Sequence, residues 1–249
     1  MTARIATHWS QRPRTLAHDP LGDQGYTSTM ISSSERHPAF EEYCECIFEL
    51  HEDDLEVIRA RIAERLNVSR ASVSQMIEKM SKVGLVTSTD NTIALTADGL
   101  TLANQVVRRH RLAERFLTDI LGLSWSDAHR EAGKWEHVMS DEVETAMNRV
   151  LGAPTTCPHG NPIPGSSYID PQAVPLARVD IGDRFTVSRI PEELEFTPGL
   201  LDFLQQSCIL PGFTGEVCAK PADGTMSVVI DGRTVAVDAF ASSRILVTV

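Results

Sequence analysis

The sequence predicts an α+β protein made of a winged helix-turn-helix, a helical unit and a small β-barrel. Three observations carry that reading. Apolar residues recur at helical spacing up to a glycine stop and a short hairpin, two further amphipathic stretches follow, and the C-terminal region alternates as short strands.

At 249 residues the chain is long enough for one large domain or several small ones, and 42% hydrophobic content is ordinary for a globular protein. No apolar stretch reaches the roughly 18 residues a membrane span needs. Residues 1–30 mix Arg, His, Pro and Asp without an apolar signal core. The expected location is the cytoplasm, with no membrane partner. Five cysteines (Cys44, Cys46, Cys157, Cys208, Cys218) form an odd, scattered set, which argues against a disulfide framework. A net charge of −11 excludes a generally basic nucleic-acid-coating protein. Locally the balance reverses: Arg59, Arg61, Arg65, Arg70, Lys79 and Lys82 outnumber Glu64 and Glu78 between Val57 and Lys82.

Residues 1–36 lack periodicity and read as a disordered tail, with Met30 an alternative initiator that mass spectrometry of the native N-terminus tests. Residues 37–98 form the winged helix-turn-helix. Phe40, Tyr43, Cys44, Ile47, Phe48 and Leu50 give a first helix, Val57–Leu66 a second, and Asn67-Val68 a turn. Ser69 caps a third helix, Arg70–Val83, that Gly84 ends. Leu85–Ser88 and Thr92–Leu95 pair around Thr89-Asp90-Asn91 as the wing. Residues 99–152 form the helical unit, with one helix to about Leu121 and more helix over Ser126–Leu151, where Gly133 is a candidate break. Prolines 154, 158, 162 and 164 mark a tether over residues 153–172. Residues 173–249 alternate as strands, with Asp223-Gly224 and Asp231-Gly232 as hairpin turns.

A recognition helix lays its N-terminal residues in the major groove of double-stranded DNA. Ser69, Arg70, Ala71, Ser72, Ser74 and Gln75 occupy that part of the third helix, with Arg59 and Lys79 as flanking basic contacts. Gln pairs with adenine, Arg with guanine or phosphate. The bland alternative is the solvated face of a surface helix.

A second constellation concerns metal. His110 and Glu114 are four apart and share a helical face. If the helix stays continuous through Gly133, then His129, Glu136 and His137 fall within an arc of roughly 100°. Imidazoles and carboxylates projecting from neighbouring helices suit a divalent transition metal; taken singly, each residue is an ordinary surface polar group.

The stretches RARIAERL (59–66), VSQ (73–75), RHRLAER (109–115), WEHVMSDEVE (135–144) and HGNPIPG (159–165) resemble the diphtheria-toxin-repressor and iron-dependent-regulator family, including its manganese-responsive branch. The resemblance runs from about Phe40 onward, strongest through Gly165. It implies a barrel of SH3-like form and a homodimeric, metal-dependent transcriptional repressor of metal uptake and homeostasis genes that binds operator DNA. It also implies two metal sites per subunit. One would use His110, Glu114 and His129, with Glu192 and Glu195 added from the barrel. The other would use Glu136, His137 and Glu42.

This chain departs from the iron-responsive members, which present sulfur ligands where it has Glu42 and Gly133. Gly133 offers only a backbone carbonyl, and Glu45, matching a carboxylate of the manganese branch, stands as the replacement. Carboxylates harden the site, which favours Mn(II), with Fe(II) as the alternative. Histidine must be neutral to coordinate, so the metal response is expected to weaken below about pH 6. A His/Glu metalloenzyme is the competing class, but no nucleophile motif, phosphate loop or H-E-x-x-H pattern accompanies the cluster. A thiol switch at Cys44 and Cys46 is a further alternative.

Overall fold

The computed structural model describes residues 38–89 and 92–249. The expected N-terminal tail, the alternative start at Met30 and the wing-tip residues Asp90 and Asn91 lie outside the described residues.

Three helices open the chain: α1 (Pro38–Glu52), α2 (Arg59–Arg65) and α3 (Arg70–Lys82). Tyr43, Cys44, Ile47 and Leu50 of α1 pack with Ile62, Val73, Ile77 and Met80, so the apolar periodicity becomes one core. Between α2 and α3 Asn67 turns the chain at φ 50°. The Ser69 hydroxyl accepts from the Ser72 amide and starts α3; Gly84, at φ 81°, ends it. Strands β1 (Val86–Ser88) and β2 (Ile93–Leu95) pair antiparallel as the wing.

Helix α4 (Ala97–Arg115) is capped by Thr96, whose hydroxyl accepts from Gly99, and runs into a π-helical turn over Phe116–Ile120. Helices α5 (Trp125–Trp135) and α6 (Asp141–Val150) follow. The sequence reading placed the candidate break at Gly133, but α5 runs through that glycine and stops at Trp135. Glu136 is its C-cap, and Ser140 restarts α6 by accepting from Val143. Glu136 and His137 therefore sit in a turn between helices, so the continuous-helix arc does not describe them.

The C-terminal region holds β3 (Val174–Pro175), β4 (Arg184–Arg189), α7 (Glu192–Glu195), α8 (Leu200–Gln206), β5 (Thr214–Ala219), β6 (Met226–Ile230), β7 (Arg233–Val237), α9 (Ala239–Ser242) and β8 (Leu246–Thr248). Its six antiparallel strands run in the order β3-β8-β4-β5-β6-β7, consistent with an SH3-like domain. Asp231 and Gly232, at φ 48° and 72°, make the β6–β7 turn. The sequence reading saw only strands here. Helices α7, α8 and α9 are four to seven residues long, too short to show a helical period.

Trp125 and Arg111 are among the residues that seat this sheet domain on the helices. Trp125, the first residue of α5, belongs to the sheet domain's own core. Fully buried Arg111 donates to Glu52 of α1, Glu192 of α7 and the Pro162 carbonyl. No helix among the described residues is long and apolar enough to cross a membrane.

Candidate metal centre

Buried imidazoles and carboxylates form a continuous network where α1, α4, the end of α5 and α7 converge. His110 is its hub. On one side, Glu45, His110 and Glu136 place ligand atoms within 4.8 Å of one another. His110 Nδ1 lies 2.5 Å from Glu136 Oε2 and 4.0 Å from Glu45 Oε1. On the other side, His110 Nε2 lies 3.2 Å from Glu114 Oε1, and His129 Nδ1 lies 3.0 Å from that same oxygen. Glu192 and Glu195 complete a third group with His129.

Spacing explains part of this convergence. His110 and Glu114 are successive turns of α4, and Glu45 lies one turn beyond Glu42 on α1. The rest is tertiary. Asn161 donates to Glu195 and to the Ile190 carbonyl at 2.8 and 3.0 Å, tying the proline-rich segment to α7. Gly160 allows the approach, because at φ 89° a Cβ there would sit 2.2 Å from the Ser188 carbonyl oxygen.

His137 and Glu42 fall outside every group with that 4.8 Å spacing among the described residues. Glu42 is 54% exposed and lies 3.6 Å from His137 Nε2. Buried Glu41, which sequence reasoning passed over, holds His137 Nδ1 at 2.7 Å instead. Gly133 carries no donor side chain; a Cβ there would meet nothing within 4 Å. Beside it opens a cavity of about 230 Å³ walled by Glu42, Glu45, Glu49, Arg65, Gly133 and Phe196.

Sequence reasoning also missed Cys157 and His159, which join Glu114 in a fully buried group. His159 Nδ1 lies 2.9 Å from Glu195 Oε2 and 3.6 Å from Glu114 Oε1. Their signal was present as a Cys-Pro-His triplet running into the HGNPIPG stretch, which was read as a family motif within a tether and not as a source of ligands. Sulfur is therefore not wholly lost from the centre: one thiol stands at this second side.

These residues fit a divalent cation. Glu45 Oε1, Glu114 Oε2, Glu192 Oε2, Glu195 Oε2, His137 Nε2 and both nitrogens of His159 are buried without a hydrogen bond. Orphaned buried donors and acceptors are costly, and here several lie close together without hydrogen-bond geometry, leaving lone pairs free for a metal.

The electrostatics agree. Burial alone would lower His110, but the Glu114 and Glu136 carboxylates hold it well above its ordinary value. Burial opposes ionisation of Glu114 too, yet His159 and His110 keep its carboxyl well below the usual range. Burial pushes Glu45 well up, helped by the Glu136 charge. In this arrangement protonated imidazoles balance the carboxylates, a role a divalent ion would assume. Burial, reinforced by nearby carboxylates, also pushes the Cys44 and Cys46 thiols up to about 12. They are inert core thiols, which removes the basis for a thiol switch.

The expected DNA face stands clear of this centre. Ser69, Arg70, Ala71, Ser72, Ser74, Gln75 and Lys79 are all exposed on or before α3. Ser69 and Ser74 are already engaged, as N-cap and as donor to the Arg70 carbonyl. Half-buried Arg59 donates to Ser88 of the wing at 3.0 Å, which ties the second helix to β1.

A winged helix joined to a buried cluster of imidazoles and carboxylates that fits a divalent cation points to a class: DNA-binding regulators governed by metal. Residues 37–91 match the iron dependent repressor N-terminal DNA binding domain, and residues 96–165 its metal binding and dimerisation domain. Iron-dependent repressor IdeR of Mycobacterium tuberculosis is 38% identical over 205 residues, covering 78% of this chain and 89% of that protein. The diphtheria toxin repressor of Corynebacterium diphtheriae is 48% identical over 144 residues, 56% of this chain and 64% of that one. A manganese-dependent transcriptional repressor solved with manganese shares 34% identity at a TM-score of 0.76, covering 84% of this chain and 99% of its own. The manganese regulator SloR shares 28% identity at a TM-score of 0.67, covering 84% of this chain and 97% of its own. The chain belongs to the iron-dependent repressor family. It is a metal-dependent DNA-binding transcriptional repressor.

Proposed function

We propose that this repressor is a homodimer activated by Mn(II), with two metal sites per subunit, acting in the cytoplasm on operators of metal uptake and homeostasis genes. Residues 37–98 serve as the reading head, 99–152 as the dimer platform, 153–172 as tether and 173–249 as the SH3-like domain. The observation that carries the metal assignment is the donor set. Glu45, His110 and Glu136, with Glu42 and His137 beside them, offer only oxygen and nitrogen, and such ligands suit Mn(II). Fe(II) is the second reading, favoured by Cys157 at the other side and by iron-dependent relatives.

A bound divalent cation supplies the positive charge that lets these carboxylates share one small space. The chain's residues do the rest. Glu42 and Glu45 belong to the head, His110, His129, Glu136 and His137 to the platform, and Glu192 and Glu195 to the SH3-like domain. Gathering them around common points fixes the head against the platform. A dimer can then present two copies of α3 about one DNA turn apart, roughly 34 Å. Ser69, Arg70, Ala71, Ser72, Ser74 and Gln75 face the bases, with Arg59 and Lys79 at the backbone. Binding DNA and binding metal strengthen each other by the same factor.

The test is operator binding titrated with Mn(II), anaerobic Fe(II) and Zn(II), against a chelated sample. Tightest activation by Mn(II) is expected. Equal retention of cognate duplex by chelated protein defeats metal activation, and stronger activation by Fe(II) reassigns the metal.

A further inference from the structure

One phenyl ring meets all three parts of the molecule. Phe196 directly follows Glu195 at the end of α7 and is 46% exposed, although it borders the cavity that Glu45, His110 and Glu136 line. Arg65 of α2 sets its guanidinium carbon 4.2 Å from the ring centroid. The His129 ring of α5 stands edge-on to it, with centroids 5.6 Å apart and planes at 88°.

Arg65 makes no hydrogen bond through Nη1 or Nη2, and its one ion pair among the described residues is with Glu49. Its side chain is 7% exposed, and the Glu49 carboxylate is 3.8 Å away. A guanidinium over an aromatic face gains most when desolvated, as this one is. Arg65 is the last residue of α2, and only the turn through Asn67 separates it from the Ser69 cap of α3. Holding Arg65 therefore holds the recognition helix.

Both anchors of the ring belong to the metal centre. His129 and Glu195 lie 3.1 Å apart there, and Glu195 is covalently next to Phe196. Fixing those two fixes the ring from its edge and from its backbone. We propose, resting on the metal-activated reading above, that Phe196 is a positioning residue: the aromatic face through which order at His129 and Glu195 fixes Arg65, and with it the DNA-reading helix. Simple packing would need only apolar volume. This role needs the π face and depends on metal.

The experiment is a double-mutant cycle in the full chain with Phe196→Leu, which keeps apolar volume, and Arg65→Gln, which removes the charge. The probe is a duplex selected from random sequence by the unaltered chain with Mn(II). With Mn(II) saturating, each single substitution is expected to weaken duplex binding about tenfold. The double is expected to lose no more than either single. Equilibrium dialysis should show unchanged Mn(II) stoichiometry, and Phe196→Tyr, keeping the ring face, should bind as the unaltered chain does. Thermal denaturation in chelator should show the two substitutions acting additively.

Additive losses on DNA with Mn(II), equal non-additivity in chelator, or a loss in Phe196→Tyr matching that of leucine each overturn the role of Phe196. If the unaltered chain holds the duplex equally with and without Mn(II), metal activation itself fails and takes this proposal with it. A preserved metal response with an additive cycle overturns the Phe196 role alone.

Discussion

His110 and Glu136 meet at 2.5 Å through Nδ1 and Oε2, while the other nitrogen of the same imidazole lies 3.2 Å from Glu114. One ring thus belongs to both sides of the centre. His110→Ala is expected to impair both sites and abolish metal-stimulated DNA binding. His137→Ala and His129→Ala should each impair one side only. Equilibrium dialysis with Mn(II) reads this as bound metal per subunit; a His110→Ala protein that keeps one intact site contradicts the shared role.

The two α1 carboxylates separate in the same assay. Glu45 stands in the group with His110 and Glu136, whereas Glu42 is 54% exposed and 3.6 Å from His137. Glu45→Gln should raise the Mn(II) needed for half-maximal DNA binding by more than about tenfold, the lower range for disturbing a metal's surroundings. Glu42→Ala should raise it less. An unchanged response in Glu42→Ala removes Glu42 from the ligand set.

Protons report on loading. Burial opposes the charge on His129, but the Glu114 and Glu195 carboxylates, 3.0 and 3.1 Å from Nδ1, carry it up to about 11. The hydrogen-bonded Glu41 carboxylate and the nearby Glu42 carboxylate carry His137 up to about 10. Both rings are protonated at neutral pH in the metal-free chain and must shed protons to coordinate. Mn(II) loading at about pH 7 should release protons, and affinity should still climb between about pH 6 and pH 8. The expected weakening at low pH therefore starts higher than an isolated histidine suggests. For the metal-free fold the sign is opposite. A raised pKa adds stability fully below the unfolded value and loses it as pH rises through the folded one, so chelated protein should melt lower near pH 10–11 than at neutral pH. Calorimetry in two buffers of different ionisation heat measures the release; zero release contradicts the assignment.

Gly133 is a vacancy at the cavity wall. Because a Cβ there meets nothing within 4 Å, Gly133→Cys should fold normally and add a soft donor beside the first group. The ratio of Fe(II) to Mn(II) affinity should rise. An unchanged ratio, with the chain folded, shows that this position does not face the bound metal.

On the DNA side, Gln75 is exposed on α3 and free to read a base edge. Gln75→Ala should cost about 1–3 kcal/mol at one operator position and relax specificity there. Lys79→Ala should weaken all sequences alike and lower the salt slope by about 1. Equal effects of Gln75→Ala on every sequence would assign it to the backbone.

Short-range physics was legible in the residues themselves. Apolar spacing set the first three helices, Ser69 and Gly84 bounded the third, and Asp231-Gly232 marked a hairpin. His110 and Glu114 shared a face because four residues make about one helical turn. Glu41 was overlooked beside Glu42, because which neighbour turns inward depends on what α1 packs against. The stop after Trp135 went unseen because nothing in Gly133 ends a helix that packing continues.

What only the tertiary structure decided is the centre's membership. His129 and Glu195 are 3.1 Å apart although sixty-six positions separate them along the chain, and Cys157 and His159 reach Glu114 only because the proline-rich segment folds back on α4. Local periodicity is encoded within a few residues, since each turn repeats the same backbone hydrogen bonds. Coordination geometry depends on how separate elements dock, and docking is set by surfaces distant in sequence.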